Sequence, residues 1–327
     1  MTDDFTYLNA RIWVRRSRLL PERFFREALR LEFPDLVKLL KESIYGSDLT
    51  GDTLADLDRA VMVHLNRTVG DLPRLVSGVA RESVSLLLMR SDLANVKTIL
   101  RGKQAGWAPE EIMGHLGAGT IPRAFYGHLV EAADAASLAQ LFSLPEHPLA
   151  HALRKAVSAS GEPLEIEITL DREFYAALLL RAQELGQSYL ADFMSFEIDA
   201  LNLATGLKLS TLGFKGQSNR YFLPGGKRVG LPLFELLAAG EVDALKVLGN
   251  TVFGRVAEAK DLATLERGLR CILLAKAHEG VKDMLGGGMA NDYILHKEWE
   301  AGRIRLLARR AFFGLPTAAV EPEVFCQ

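Results

Sequence analysis

The chain has 327 residues, of which 49% are apolar and 24% charged, and its 39 basic and 41 acidic side chains give a net charge of −2. The apolar fraction excludes a disordered chain, and the lack of a basic excess argues against a protein that coats nucleic acid. No apolar run approaches the ~18 residues of a membrane-spanning helix, and the first residues are acidic where a signal peptide would be basic. We therefore expect an intracellular protein of several domains.

Helical periodicity dominates the chain. Apolar residues recur at helical spacing from Thr53 to Val69, from Asp171 to Gly186, and again from Leu262, where Asp261 is a plausible N-cap and Gly280 a plausible stop. These stripes predict helices with one buried face, and they place the chain in the all-α class.

One segment differs from this pattern. Residues Leu164–Leu170 alternate between apolar and polar side chains, which is typical of a strand. No partner strand is evident nearby, and a lone strand is not stable. We therefore interpret the segment as an extended connector or a lead-in to the next helix.

The main feature is an internal repeat, in which an acid is followed three residues later by a polar side chain and fourteen residues later by glycine. The three copies are Asp92, Asn95 and Gly106; Asp199, Asn202 and Gly213; and Glu300, Arg303 and Gly314. The spacing predicts three helical-bundle units of about 105 residues, at 1–115, 116–222 and 223–327. Three related units favour an approximately three-fold arrangement, a closed ring or funnel rather than a long solenoid.

A second local similarity flanks the repeat. The tract Leu36–Leu40 precedes Tyr45 and Gly46, and the similar tract Leu245–Leu248 precedes Phe253 and Gly254. This match supports the register of the repeat.

The repeated acids and their partners allow two interpretations. Asp92 with Asn95, and Asp199 with Asn202, share a helix face and could make the buried polar contacts that set helix packing. Alternatively, Asp92, Asp199 and Glu300 could line a shared central site, such as that of an all-α enzyme. Arg303 argues against a metal cage there, because a cation opposes a bound metal ion.

Motifs of the common catalytic classes are not found. The sequence has no GxxxxGK[ST] phosphate loop, no HExxH and no GxSxG elbow, so we expect no cofactor, metal or catalytic site. His147 and His151 have a metal-ligand spacing, but Pro148 interrupts it, and we interpret both as surface or cap residues.

Two groups of arginines remain. One lies near the start and includes Arg11 and Arg15, and the other lies near the end and includes Arg303 and Arg309. Each could be a solvated helix face or a docking surface for an acidic partner or lipid headgroups.

Taken together, the sequence resembles the C subunits of the prokaryotic V/A-type rotary ATPases, the counterparts of the eukaryotic d subunit. The resemblance covers the whole chain and is carried by seven segments: Tyr7–Arg16, Gly70–Val76, Ser91–Gly106, Phe196–Asn202, Leu265–Cys271, Glu298–Arg310 and Phe313–Pro316. The third copy of the repeat departs from the acid-then-asparagine pattern at Arg303.

The resemblance implies a funnel of three similar helical domains, peripheral to the cytoplasmic face of the membrane. It implies a non-catalytic rotor adaptor that couples the central stalk to the membrane rotor ring during proton or sodium transport and ATP synthesis or hydrolysis. Its partners would be the central-stalk subunits and the ring. Arg11 and Arg15 are our candidates for docking residues.

Overall fold

The computed structural model describes residues 3–142 and 147–326. Every regular element in these two ranges is a helix, so the all-α prediction is confirmed. Within the same ranges, none of the helices combines the length and the apolar composition needed to cross a bilayer.

The chain divides into two compact units. Unit 1 combines the two ends of the chain, Met1–Val84 and Leu274–Gln327, whereas unit 2 is the continuous stretch Ser85–Leu273. This division does not test the boundaries of the three units that the repeat predicts, so those boundaries stay a prediction.

The α-helices follow one another in chain order. The first five are α1 (Asp3–Arg16), α2 (Glu22–Ala28), α3 (Phe33–Lys41), α4 (Leu54–Gly70) and α5 (Gly78–Gln104). The next five are α6 (Pro109–His115), α7 (Arg123–Val130), α8 (Ala135–Leu141), α9 (Pro148–Ala159) and α10 (Pro163–Glu184). The last five are α11 (Ser188–Thr211), α12 (Leu231–Ala238), α13 (Leu262–Glu279), α14 (Gly288–Phe313) and α15 (Thr317–Val324). Short 3₁₀ helices lie at Leu72–Leu75, Ser218–Tyr221, Val242–Leu248, Gly254–Val256 and Gly280–Lys282.

Unit 1 is built around α14, which packs against α1, α2, α3, α4 and α15. Its core joins apolar side chains from both ends of the chain, including Phe25, Leu36 and Leu57 with Ile304 and Leu307. Burying such side chains contributes roughly 1.5–3 kcal/mol each. The two terminal segments of the chain therefore depend on each other for a core.

The stripe predicted at Thr53–Val69 is α4, and its start is defined by Thr53. The Thr53 hydroxyl accepts a hydrogen bond from the Asp56 amide at 3.1 Å, and the Asp56 carboxylate accepts one from the Thr53 amide at 3.3 Å. This capping box satisfies two amides that the first turn leaves unpaired. In the same way, Asp261 accepts a hydrogen bond from the Thr264 amide at 2.8 Å and caps α13, as predicted.

Unit 2 is a succession of packed helices, with α9 on α10, α10 on α11, and α11 on α12. A core cluster joins α11 to the segments that follow it, through Leu203, Leu207, Leu237, Phe253 and Leu265.

The prediction of a connector or lead-in at Leu164–Leu170 is wrong, because the segment forms the first two turns of α10. Pro163 occupies the first helical position, where its missing amide costs nothing. Ile166 and Leu170 continue the buried stripe of Phe174 and Leu178 at intervals of four residues. The apolar side chains in between lie on other sides of the helix, and Leu164 is exposed, so the alternation was coincidental.

The glycine of each repeat copy ends a long helix. Gly106, Gly213 and Gly314 follow α5, α11 and α14 with φ angles of 74°, 65° and 64°. This left-handed conformation is the usual way to end a helix, and it favours glycine because a Cβ is strained there. The fourteen-residue spacing in the sequence is therefore the number of residues from a buried acid to the glycine that ends its helix.

The flanking similarity is also structural. Ser43 donates to the Leu40 carbonyl and accepts from the Tyr45 amide, and Thr251 donates to the Leu248 carbonyl and accepts from the Phe253 amide. In both segments, a Cβ on the following glycine would collide with the carbonyl oxygen five residues before it. The two tracts therefore adopt the same turn, one in each unit.

Candidate functional site

The first copy of the repeat is a clamp on α5, formed by Asp92 and Asn95, that holds the loop between α6 and α7. Asp92 Oδ2 accepts hydrogen bonds from the Thr120 amide at 2.9 Å and the Thr120 hydroxyl at 2.6 Å, and Oδ1 accepts from the Ile121 amide at 3.2 Å. Asn95 exchanges two hydrogen bonds of 2.8 Å with the backbone of Gly117. Both clamp residues are buried.

Two further groups, Tyr126 and His147, complete the α5 clamp. The Tyr126 hydroxyl donates to Asp92 Oδ1 at 2.7 Å, and burial together with the charge of Asp92 raises the pKa of Tyr126. His147 Nε2 lies 3.0 Å from the Thr120 hydroxyl and 3.4 Å from Asp92 Oδ2. His147 also caps α9 by accepting from the Leu149 amide, so the cap interpretation of this histidine is confirmed.

The second copy is a clamp on α11, formed by Asp199 and Asn202, with the same arrangement. Asp199 accepts hydrogen bonds of 2.9–3.2 Å from three successive amides, those of Lys227, Arg228 and Val229. Asn202 exchanges two hydrogen bonds of 2.8 Å with the backbone of Leu223. The held loop lies between α11 and α12, and both side chains are fully buried.

A glycine brings each loop close enough to its aspartate. Gly119 and Gly226 each lie 27 residues after their acid (92 to 119 and 199 to 226), and a Cβ on either would collide with the aspartate Oδ1. Sequence reasoning missed the role of these glycines beside the acids, although the shared offset of 27 residues was a signal that could have shown it.

The third copy is a clamp on α14, formed by Glu300 and Arg303, and it uses different partners. Glu300 Oε2 accepts a hydrogen bond from the Leu20 amide at 2.6 Å, and Oε1 accepts one from the Tyr45 hydroxyl at 2.8 Å. Lys297, itself buried, forms an ion pair with the same carboxylate. The held segment here is the loop between α1 and α2, some 280 residues upstream in the chain.

Arg303 replaces the asparagine with a stacked cation. Its guanidinium lies 3.5 Å from the centre of the Phe25 ring and 3.7 Å from that of Trp299, and it donates to Glu22 Oε2 at 2.8 Å. This contact fixes the start of α2 next to the loop that Glu300 holds. The third copy therefore performs the same task as the other two with a salt bridge and aromatic stacking.

The repeated acids make the same kind of local contact in all three clamps. Each carboxylate is buried and accepts hydrogen bonds from its own loop, which is compatible with the packing interpretation; the role of these residues stays a prediction. Asp92 and Asp199 accept their backbone hydrogen bonds from two different loops of unit 2. Within residues 3–142 and 147–326, no group of three or more His, Cys, Asp and Glu side chains is arranged to hold a metal ion.

The two predicted docking arginines differ in their surroundings. Arg11 is exposed on α1, in line with the exposed side chains of Tyr7 and Val14 at helical spacing. Arg15 is largely covered and faces inward, where it donates to both Asp71 carboxylate oxygens at 2.7 and 3.0 Å and to the Thr68 carbonyl at 2.6 Å. Its hydrogen bond to Asp71 raises the pKa of Arg15.

Sequence reasoning also missed a polar cluster at the start of α14. Asp292 is fully buried, with Arg16 Nε at 2.8 Å and with His278 and His296 each at 3.2 Å. Burial alone would raise the pKa of Asp292, but His296 and Arg16 together hold it below its usual value. The residues come from α1, α13 and α14, so their spacing in the sequence gave no sign of the cluster.

Comparison with known proteins shows what the chain as a whole is similar to. The model of the ATP synthase (C/AC39) subunit family matches residues 8–322. A relative from Thermus thermophilus, the C subunit of a V-type ATP synthase, is 46% identical over 326 residues that cover 100% of both chains. The corresponding V-type C subunit from Deinococcus radiodurans is 30% identical over 99% of this chain and 92% of its own. The C subunit of an A-type ATP synthase from Haloferax volcanii is 26% identical over 97% of this chain and 96% of its own.

Proposed function

The chain belongs to the ATP synthase (C/AC39) subunit family, and from that premise we propose that it is the rotor adaptor of a V/A-type ATP synthase, joining the central stalk to the membrane rotor ring. It is a non-catalytic subunit of this class of rotary ATPase. The observation that carries the proposal is the full-length match to C subunits of V-type ATP synthases, which leaves no part of the chain unaccounted for.

The three clamps support a mechanical role. Each ties a loop to the middle of a long helix through buried, charge-assisted hydrogen bonds, which are about twice as strong as neutral ones. Close-packed interiors with fixed loops resist deformation. Such a body can transmit torque between two partners without absorbing it in loop motion.

The exposed side of α1 supports docking to a protein partner. Tyr7, Arg11 and Val14 form a stripe on the side opposite the buried Phe5, Leu8 and Ile12. Tyr7 and Val14 are 51% and 53% exposed and lie on one side of the helix, and exposed apolar side chains that cluster mark interaction surfaces. An aromatic side chain, an arginine and an aliphatic side chain in one stripe match the composition of interface centres. We call this stripe the α1 surface.

The proposal also covers location and organisation. It places the chain at the cytoplasmic face of the membrane, in a complex that transports protons or sodium ions. Its partners are the central-stalk subunits and the rotor ring. The funnel of three similar helical domains, with boundaries at 1–115, 116–222 and 223–327, remains the arrangement that we propose for it.

A reconstitution experiment tests the proposal. The purified full chain is mixed with the stalk subunits and detergent-solubilised ring of the same organism, and co-elution is followed by size-exclusion chromatography. We expect complexes with both partners, and Arg11→Glu should weaken one of them at least fivefold, because it reverses a charge on the α1 surface.

The matched control is Arg30→Glu, since Arg30 is an exposed arginine of the same unit outside the α1 surface. Arg15→Glu is not a suitable probe, because it would place an acid against Asp71 and disturb the fold. Folded protein that binds neither stalk nor ring would overturn the adaptor proposal. Equal effects of the Arg11 and Arg30 substitutions on binding would show that the α1 surface is not a docking site.

A further inference from the structure

Unit 1 contains a cavity of about 420 Å³ whose lining includes no residue of the α1 surface. Four cationic side chains line it, namely Arg15 of α1, Arg18 of the following loop, Arg67 of α4 and Lys297 of α14. The buried His64 is a fifth basic group in the lining, whereas Asp71 is the one acid. We call this space the basic cavity.

Three of the four cations already have carboxylate partners. Arg15 pairs with Asp71 at 2.7 Å, Arg67 with Asp48 at 2.8 Å, and Lys297 with Glu300. These pairs hold the side chains in place, so their remaining donors are fixed in orientation. Fixed donors bind an incoming group without losing conformational freedom at that moment.

Arg18 is the exception. It is exposed and has no carboxylate partner among the described residues, so the lining carries one positive charge that the protein does not neutralise. A guanidinium presents a fork of donors that matches the geometry of phosphate oxygens. The positive excess and the free fork together favour an anionic ligand with several oxygens.

The volume of the cavity and its uncharged lining residues indicate which kind of anionic ligand would fit. Its volume lies within the range of roughly 300–1,000 Å³ typical of small-molecule sites, which is more space than a lone ion needs. Ile44 and the Tyr293 ring supply an apolar and aromatic wall beside the cations. We propose that the basic cavity is a binding site for a small organic phosphate, with Arg18 and Arg67 contacting the phosphate and Tyr293 and Ile44 contacting the organic part.

The proposal does not depend on the rotor role and can be tested on the purified full chain alone. Isothermal titration calorimetry at low ionic strength would use four probes: AMP, pyrophosphate, adenosine, which lacks the phosphate, and citrate, which is anionic but carries no phosphate. We expect AMP and pyrophosphate to bind, and adenosine to bind at least tenfold more weakly than AMP. Arg18→Gln should weaken AMP binding about tenfold, the effect of losing a charge-assisted hydrogen bond.

A control variant, a second cavity variant and an NMR measurement distinguish binding in the cavity from unspecific attraction of anions to positive charge. Arg30→Gln removes an exposed arginine of the same unit, outside the cavity, and should leave AMP affinity within twofold of wild type. Arg67→Gln is the second cavity variant, and it should weaken binding by a similar factor to Arg18→Gln. In NMR spectra, the imidazole signals of His64 should move on addition of AMP, whereas those of the exposed His128 should not.

Three results would overturn the proposal. One is the absence of AMP and pyrophosphate binding to wild-type protein. Another is an equal loss of affinity in the Arg18 and Arg30 variants, which would show unspecific attraction. The last is equal binding of citrate and pyrophosphate, which would show that the cavity selects charge rather than phosphate.

Discussion

The clamps on α5 and α11 hold their loops with the same atoms, whereas the clamp on α14 holds a different loop with a longer acid. An aspartate reaches only a short distance from its helix, so the loop backbone must come very close, and Gly119 and Gly226 permit that approach. Glu300 is one methylene longer and reaches the Leu20 amide in a loop that contains no glycine. All three copies of the repeat therefore connect a helix to a loop. The acid and the loop residues that form this connection differ between the third copy and the other two.

The largest expected effect tests whether the two aspartate clamps are equivalent. Asp92→Ala and Asp199→Ala should each lower the free energy of unfolding by about 3–5 kcal/mol, because each leaves several buried donors without an acceptor. Urea unfolding followed by circular dichroism measures the loss. Asp35→Ala is the control, since the Asp35–Lys38 pair is exposed and should contribute little to the free energy of unfolding. A cost below about 1 kcal/mol for either clamp variant would break the equivalence.

The second prediction distinguishes the α14 clamp by its dependence on pH. Burial lowers the pKa of Lys297, and Glu300 opposes that shift, so Glu300→Gln should lower the pKa of Lys297 further. A lysine whose pKa is lowered by folding destabilises the fold below its folded pKa, and this penalty disappears as pH rises toward 10.5. Glu300→Gln should therefore cost about 2–3 kcal/mol near pH 7 and clearly less at about pH 10.

The control for this pH effect is the same substitution in a Lys297→Met background. There the cost of Glu300→Gln should not change with pH, because the titrating partner is absent. A cost that stays constant with pH in the wild-type background would show that the ion pair does not distinguish this clamp.

The third prediction concerns the close approach of the loops. Gly119→Ala and Gly226→Ala should each cost about 2 kcal/mol, because the added methyl group displaces the loop from its aspartate. Gly114→Ala is the matched control, since a Cβ at Gly114, within α6, meets nothing within 4 Å. Urea unfolding of the three variants compares them, and a harmless Gly226→Ala beside a costly Gly119→Ala would show that only one loop is held closely.

The smallest expected effect tests whether the α14 clamp can use asparagine at position 303, as the other two clamps use Asn95 and Asn202. Arg303→Asn should cost about 1–2 kcal/mol, because it loses the stacking on Phe25 and Trp299 and the ion pair with Glu22. Thermal unfolding measures this loss, and Arg303→Lys should keep only part of the stability. If the Arg303→Asn variant were as stable as wild type, the α14 clamp would not need the stacked arginine and could use the asparagine of the other two clamps.

Much of the fold could be predicted from the sequence, because its helices have a clear apolar period and visible caps. The stripe of α4 and the Asp261 cap of α13 are examples in which local chemistry decides the structure. Leu164–Leu170 could not be assigned in the same way, since its helical stripe appears only when Ile166 and Leu170 are joined to Phe174 and Leu178 further along.

The clamps were predicted in part. The repeat identified the acids, but the loop amides that they bind lie 28–30 residues downstream for Asp92 and Asp199 and 280 residues upstream for Glu300. Contacts over such separations depend on how the helices pack, and no local rule gives that. Arg15 shows the same limit, because its carboxylate partner, Asp71, is supplied by a distant segment.

The two-ended construction of unit 1 has a consequence for synthesis on the ribosome. Unit 2 is continuous and can fold as it emerges, but residues 3–84 lack α14, the helix that completes their core. At about 5–20 residues per second, they wait roughly 10–50 s until the chain has been made as far as the end of α14 at Phe313. During that interval Phe25, Leu36 and Leu57 have no α14 to cover them, so the nascent N-terminal segment exposes apolar side chains that the finished protein buries.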